Sequence, residues 1–211
     1  MILESGFGMK HESWQAVQNS VARFARVCSY DRADITSDVI GDLHLLLTAS
    51  HITPPYILVG HSIGGIYVRA FTRRFPAEVA GLVFVDSSHE EQFWRQQQIA
   101  KQKASLAAHL AGFLAPGQAL NWHFDIPLIV IERGRPEQSP ELTAAQSKEY
   151  EALWHMLQMD LAGRTKYGKL VIAEHSGHMI PLDQPSIVVT AIRDVSIQPA
   201  EGVITGGSHS R

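Results

Sequence analysis

Residues 56–65 read Tyr56-Ile57-Leu58-Val59-Gly60-His61-Ser62-Ile63-Gly64-Gly65, a run of strand character that ends in a Gly-x-Ser-x-Gly turn. Consecutive apolar residues without alternation are what a strand buried on both faces requires. Gly60 and Gly64 leave the backbone free to bend sharply after it, so the serine hydroxyl projects above the sheet edge where the next helix begins. Ile63, Ile66, Tyr67, Ala70 and Phe71 then recur at helical spacing, and Pro76 disfavours helix at the residue before it, which stops this helix near Phe75. Ser62 is therefore the candidate nucleophile of a strand-turn-helix corner, with a plain helix-capping serine as the bland alternative.

The same alternation extends through the chain. Short β-branched runs at 1–4, 25–30, 56–60, 82–86, 126–132 and 169–174 are separated by stretches of helical period, such as Trp14, Val17 and Val21, or Val39, Ile40, Leu43, Leu46 and Leu47. That pattern predicts an α/β fold, a mostly parallel sheet of about six strands flanked by helices. A last helix is marked by Ile187, Val188, Ala191, Ile192 and Val195. Residues 1–196 read as a single domain. Within it, 87–124 interrupt the rhythm with a polar and then alanine-rich helical segment, either a small lid or a long surface helix. Residues 197–211 carry much glycine and serine and read as a flexible tail.

Composition excludes several classes of function. Of 211 residues 45% are hydrophobic, enough for one sizeable core, while 18 Lys and Arg against 21 Asp and Glu give a net charge of −3, which advertises neither nucleic acid nor an anionic membrane as partner. No apolar stretch approaches the ~20 residues that span a bilayer, and the N-terminus lacks the apolar run of a signal peptide. Cys28 is the only cysteine, so no internal disulfide forms. The expectation is a soluble, cytoplasmic chain without stable membrane insertion.

A serine hydroxyl needs a base, and in this architecture the base comes late in the chain. Of eleven histidines, His178 follows the last strand in the loop Ser176-Gly177-His178, at the ligand-binding end of the sheet. His175 is its local rival, and His61 reads as support for the corner. The orienting acid is Asp86, which ends the strand Leu82-Val83-Phe84-Val85 and fits the chain order Ser, Asp, His. Glu132, Glu137 and Asp160 remain open as alternatives. Backbone N–H groups of Ile63, at the helix start, and of Phe7, in the glycine-flanked turn Gly6-Phe7-Gly8, are the candidate oxyanion donors. Phe93, Trp94, Phe113, Leu114 and Trp122, with Met179 and Ile180 beside the base, suggest an apolar acyl pocket. Core packing is the competing reading of at least half of them. No metal or organic cofactor is called for.

The motifs LESGFG, YDRA, DLHLLL, YILVGHSIGG, LVFVDSSHEEQ, IPLIVIERG and VIAEHSGHMIPLDQP, in that order, resemble those of bacterial α/β-fold hydrolases of the esterase and lipase kind. The resemblance implies the α/β-hydrolase fold, with Ser62 and His178 catalytic, Phe7 and Ile63 lining the oxyanion hole, and Asp86 as the acid. It implies a small-molecule ester as substrate, with short to medium acyl chains favoured. Amide, thioester and carbon–carbon bond hydrolysis, or a ligand-binding module with a weak or inactive triad, are the rival readings. Two departures stand out. Such hydrolases usually carry two further strands before the one at Met1, so this chain is expected to begin within the sheet and to expose an edge through which a homodimer could form. After Ala33 the usual glycine-rich loop is missing, which would open one wall of the cleft.

Overall fold

The computed structural model describes residues 1–33, 38–100, 123, 125–137 and 139–197. Six strands, β1 (Ile2–Glu4), β2 (Cys28–Ser29), β3 (Tyr56–His61), β4 (Val79–Val85), β5 (Leu128–Arg133) and β6 (Gly168–Ala173), form one parallel sheet in the order β2-β1-β3-β4-β5-β6. A 3-10 turn, His11–Trp14, leads into α1 (Gln15–Val21). The remaining helices are α2 (Val39–Ala49), α3 (Gly64–Arg74), α4 (Gln92–Ala100), α5 (Ala144–Ala162), the single turn α6 (Ile180–Asp183) and α7 (Pro185–Ile197).

Strand residues feed two cores in alternation, which explains why the strands read as unbroken apolar runs. Leu58, Leu82, Phe84, Leu128 and Val130 face one side, where α2, α3 and α5 contribute Leu43, Leu47, Val68, Phe71 and Leu161. Val59, Val83, Val85, Ile129 and Ile131 face the other, packed on Trp14, Val17 and Val21 of the His11–Val21 segment and on Val188, Ile192 and Val195 of α7. Two helix starts carry their own caps. The Asp38 side chain accepts the Gly41 N–H at the head of α2, and Thr143 and Gln146 form a reciprocal capping box on α5.

The order of strands also locates a crevice. From β1 the chain moves outward to β2, then returns across β1 to β3 and continues the other way to β4, β5 and β6. The loops leaving the C-terminal ends of β1 and β3 therefore part in opposite directions, and such a switch point is where open α/β sheets bind ligands. Gly6 and Phe7 follow β1, and Ser62 follows β3.

One expectation is corrected. The strand predicted over 25–30 shrinks to two residues, because the chain leaves the sheet after Ser29 and the Tyr30 and Arg32 side chains turn in toward Glu4 instead. As expected, the chain begins within the sheet: β1 lies between β2 and β3, with Cys28 paired to Ile2 and Ser29 to Leu3, and the two-residue β2 forms the edge. Of the proposed lid segment, only 87–100 and residue 123 are described, and they contain α4; 101–122 and 124, like the tail from 198, lie outside the described residues. Among the described residues no helix is long and apolar enough to cross a membrane.

Phe71 is fully buried between α3 and the sheet, edge-on to the Tyr56 ring and tilted against that of Phe75. Phe71→Ala should cost about 3–5 kcal/mol in urea unfolding. Leu45 on α2 is 67% exposed, and Leu45→Ala should stay within about 0.5 kcal/mol of wild type.

Candidate active site

At the end of β3 the chain turns into α3 through Ser62, whose φ of 54° lies in the left-handed region. A non-glycine residue there costs roughly 1–2 kcal/mol, so its surroundings must hold it. Ser62 N donates to Val85 O at 3.1 Å, and Ser62 O accepts from Ser88 N at 2.9 Å and Gly65 N at 3.1 Å. The bend brings backbones close enough to require glycine: a Cβ on Gly64 would sit 2.5 Å from Glu4 O, and one on Gly60 2.7 Å from the Gly64 carbonyl carbon. Asp86, one strand over, has the same handedness with φ 40°.

The Asp86 carboxylate is fully buried and accepts four hydrogen bonds. Oδ2 takes His178 Nδ1–H at 2.6 Å and Arg133 Nη1 at 3.0 Å; Oδ1 takes Trp154 Nε1 at 2.8 Å and the Arg133 backbone N–H at 3.1 Å. Burial pushes this carboxyl upward, but the His178 hydrogen bond and the Arg133 charge outweigh it and hold Asp86 below the usual carboxylate value. Arg133 in turn donates to Glu151 at 2.9 Å and lies over the Trp154 ring at 4.4 Å. With Nδ1 committed to Asp86, the other nitrogen of the His178 ring is the one free to exchange a proton. His178 is partly open to solvent.

His61 ties this imidazole to the corner. Its Nε2–H donates to the His178 carbonyl at 2.8 Å, and the two rings stand 4.8 Å apart. Burial, and then the neighbouring His178, push the His61 ring down to about 4, so it is a neutral strut at physiological pH. Among the described residues Ser62 Oγ makes no hydrogen bond of its own.

Two of the other acids are engaged elsewhere and the third is turned to solvent. Glu132 bonds His155 at 2.8 Å, Asp160 accepts from Arg164 at 2.7 Å and contacts His89, and Glu137 is exposed with its N–H on Glu151. His175 is exposed, its N–H on the Gln184 side chain. The N–H groups of Phe7 and of Ile63, the residue after Ser62, donate to nothing among the described residues. Trp94 is 50% exposed with the Arg95 guanidinium over its ring, Phe93 and Met179 are half-buried, and Phe113, Leu114 and Trp122 lie outside the described residues. Ile180 belongs to the core rather than to a pocket, since it is fully buried against α7. One exposed trio, His11, Glu12 and Asp31, brings ligand atoms within 4.8 Å of one another, but His11 is already hydrogen-bonded to Asp31.

Several supporting residues escaped the sequence reading. Arg69, fully buried on α3, donates to Gly65 O, Ser88 O and Glu90, and Arg164 donates to the other Glu90 oxygen. Gln158 of α5 donates to Ser87 O at 2.8 Å. Together they fasten the loop that follows Asp86. The available signal was an arginine placed among Ile66, Val68 and Phe71 in an otherwise apolar pattern.

Comparison with known proteins agrees with this architecture. The sequence profile of a family described as alpha/beta hydrolase fold matches residues 1–119. The Bacillus subtilis (strain 168) protein YqjL, itself uncharacterized, is 24% identical over 216 residues, spanning 92% of this chain and 82% of its own. Among solved structures, a thermophilic esterase from Thermogutta terrifontis superposes with a TM-score of 0.57 at 17% identity, covering 92% of this chain and 87% of that one. The esterase RhEst1 from Rhodococcus sp. ECU1013 gives 0.59 at 15%, covering 94% and 90%. At these identities the superpositions speak for the fold alone.

Glu90 offers a test of the loop's anchorage. Burial pushes its carboxyl up, yet the charges of Arg69, His89 and Arg164 bring it down from 4.5 to about 2. Because the folded carboxyl titrates below the unfolded one, its ion pairs stabilise fully above pH 4.5 and are lost as the pH falls toward 2. Glu90→Gln should cost on the order of 3 kcal/mol at neutral pH, with the gap to wild type closing through that window in urea unfolding at stepped pH.

Proposed function

Since the chain belongs to the alpha/beta hydrolase fold family, we propose that it is a serine hydrolase that cleaves carboxylic esters through an acyl-serine intermediate. The observation that carries this reading is the 2.6 Å contact between His178 Nδ1 and the buried Asp86 carboxylate, beside a serine held in left-handed conformation. A carboxylate so placed fixes one tautomer of the imidazole and leaves Nε2 to accept a proton, which a general base next to a serine requires.

In the proposed reaction Ser62 Oγ attacks the ester carbonyl carbon while its proton passes to His178 Nε2. The carbonyl π electrons move to oxygen, and the developing oxyanion receives the Phe7 and Ile63 N–H groups. As the tetrahedral adduct collapses, the bond to the alkoxy oxygen breaks and that oxygen takes the proton from His178. Water then gives a proton to the same nitrogen and attacks the acyl-serine; a second collapse returns the proton to Ser62 Oγ and frees the acid. Asp86 accepts from Nδ1 throughout and is never protonated. The half-buried Phe93 and Met179 support an apolar acyl side, and short to medium acyl chains are the expected substrates.

The reading is tested by labelling with a fluorophosphonate probe and mapping the adduct. Label on Ser62, turnover of p-nitrophenyl acetate to octanoate, and loss of both in Ser62→Ala are the expected results. Asp86→Asn should lower kcat about 10⁴-fold. A chain that binds no probe and turns over no ester of any length is a ligand-binding module rather than an enzyme.

A further inference from the structure

We infer that Arg32 is a positioning residue for the oxyanion: by holding the Ser5 and Gly6 carbonyls it turns the Phe7 N–H to the Ser62 side of its loop. The inference rests on the esterase reading above, and it concerns a residue that touches no substrate.

Arg32 follows β2, and only 9% of its side chain is exposed. A guanidinium that far from water needs acceptors from the protein, and Nη1 and Nη2 find them while Nε has none among the described residues. Its partners all belong to one short stretch. Nη1 pairs with the carboxylate of Glu4, itself fully buried at the end of β1, and also reaches Ser5 O at 2.5 Å; Nη2 donates to Gly6 O at 2.7 Å. The Tyr30 hydroxyl occupies the second Glu4 oxygen, and the Tyr67 ring of α3 lies 5.1 Å beneath the guanidinium. Glu4 thus holds the arginine, and the arginine holds two consecutive carbonyls.

Planarity converts that grip into an aim. In a trans peptide the N–H points opposite to the C=O, and Gly6 C=O shares its peptide unit with Phe7 N–H. Gly6 O accepts from Arg32 Nη2 and, at 3.3 Å, from Met9 N, so the Phe7 N–H points away from both. On the Ser62 side Gly6 is in close contact: a Cβ built on it would lie 3.2 Å from Ser62 Cβ and 3.0 Å from His61 Nδ1. An N–H that bonds to nothing else among the described residues is thereby left for a negative oxygen formed on a substrate attached to Ser62. The two-pronged geometry matters as well as the charge. Lysine offers a single ammonium and cannot reach Glu4 and both carbonyls in one plane.

The experiment compares wild type with R32K and R32A on p-nitrophenyl butyrate, together with inhibition by phenylboronic acid, whose tetrahedral adduct on serine mimics the oxyanion state. R32K keeps the charge beside Glu4 and covers the case in which R32A does not fold, which thermal melting reports. The expected result is a fall in kcat of about 10-fold in R32K and about 10²-fold in R32A, with KM within about threefold of wild type. Phenylboronic acid affinity should fall in step with kcat. A variant that melts earlier but keeps kcat, or that loses kcat with boronic acid affinity unchanged, overturns the inference in favour of a structural ion pair. Wild type that no fluorophosphonate labels rejects the esterase reading and this inference together, whereas labelled wild type with an unaltered R32K rejects the inference alone.

Discussion

A carboxylate cut off from water must be solvated by the protein itself, and Asp86 is solvated from three parts of the chain at once. Its donors come from the end of β5, from the middle of α5 and from the loop after β6, while its own backbone N–H is tied to Ile131 O at 2.7 Å. Leaving such a charge short of a donor costs several kcal/mol, so the four groups hold one another in place. The orientation of His178 is the useful product of this arrangement, because its imidazole is one of the donors that the buried charge demands. Arg133 balances the charge and is balanced in turn by Glu151.

Two left-handed residues, Ser62 and Asp86, end adjacent parallel strands, and each is unfavourable in isolation. They persist because the sheet ladder continues past them: Ser62 N reaches Val85 O, and Ser88 N reaches Ser62 O across the top of Asp86. The corner and the acid loop are therefore built against each other. Gly65 shows how closely, since a Cβ there would fall 1.7 Å from Ser87 Oγ. Beneath this contact the Arg69, Glu90 and Arg164 ion pairs clamp the loop to α3 and to the residues after α5, in a position where solvent screening is weak. On the other side of Ser62, the Arg32 and Glu4 pair does comparable work for the Gly6 turn.

Much of the sheet was legible because its signals are local. A strand buried on both faces shows as an apolar run, a bend without room for Cβ shows as glycine, and a helix stop shows as Pro76. The errors fall where a distant contact overrides the local pattern. The run 25–30 has strand propensity, yet the chain departs after Ser29 so that Tyr30 and Arg32 can meet Glu4, 26 and 28 residues earlier. Ile180 sits beside the candidate base in sequence, but its side chain turns into the core against α7.

The sequence by itself determined the α/β order, the corner at Ser62 and the loop that carries His178, since each is written in residues close to one another along the chain. Only the tertiary structure decided which acid meets the imidazole and what holds that acid. His178, Trp154 and Arg133 stand 92, 68 and 47 residues from Asp86. Contacts over such separations depend on strand register and on the face each helix buries. Neither is encoded at any one position; both follow from the whole sheet closing around its two cores.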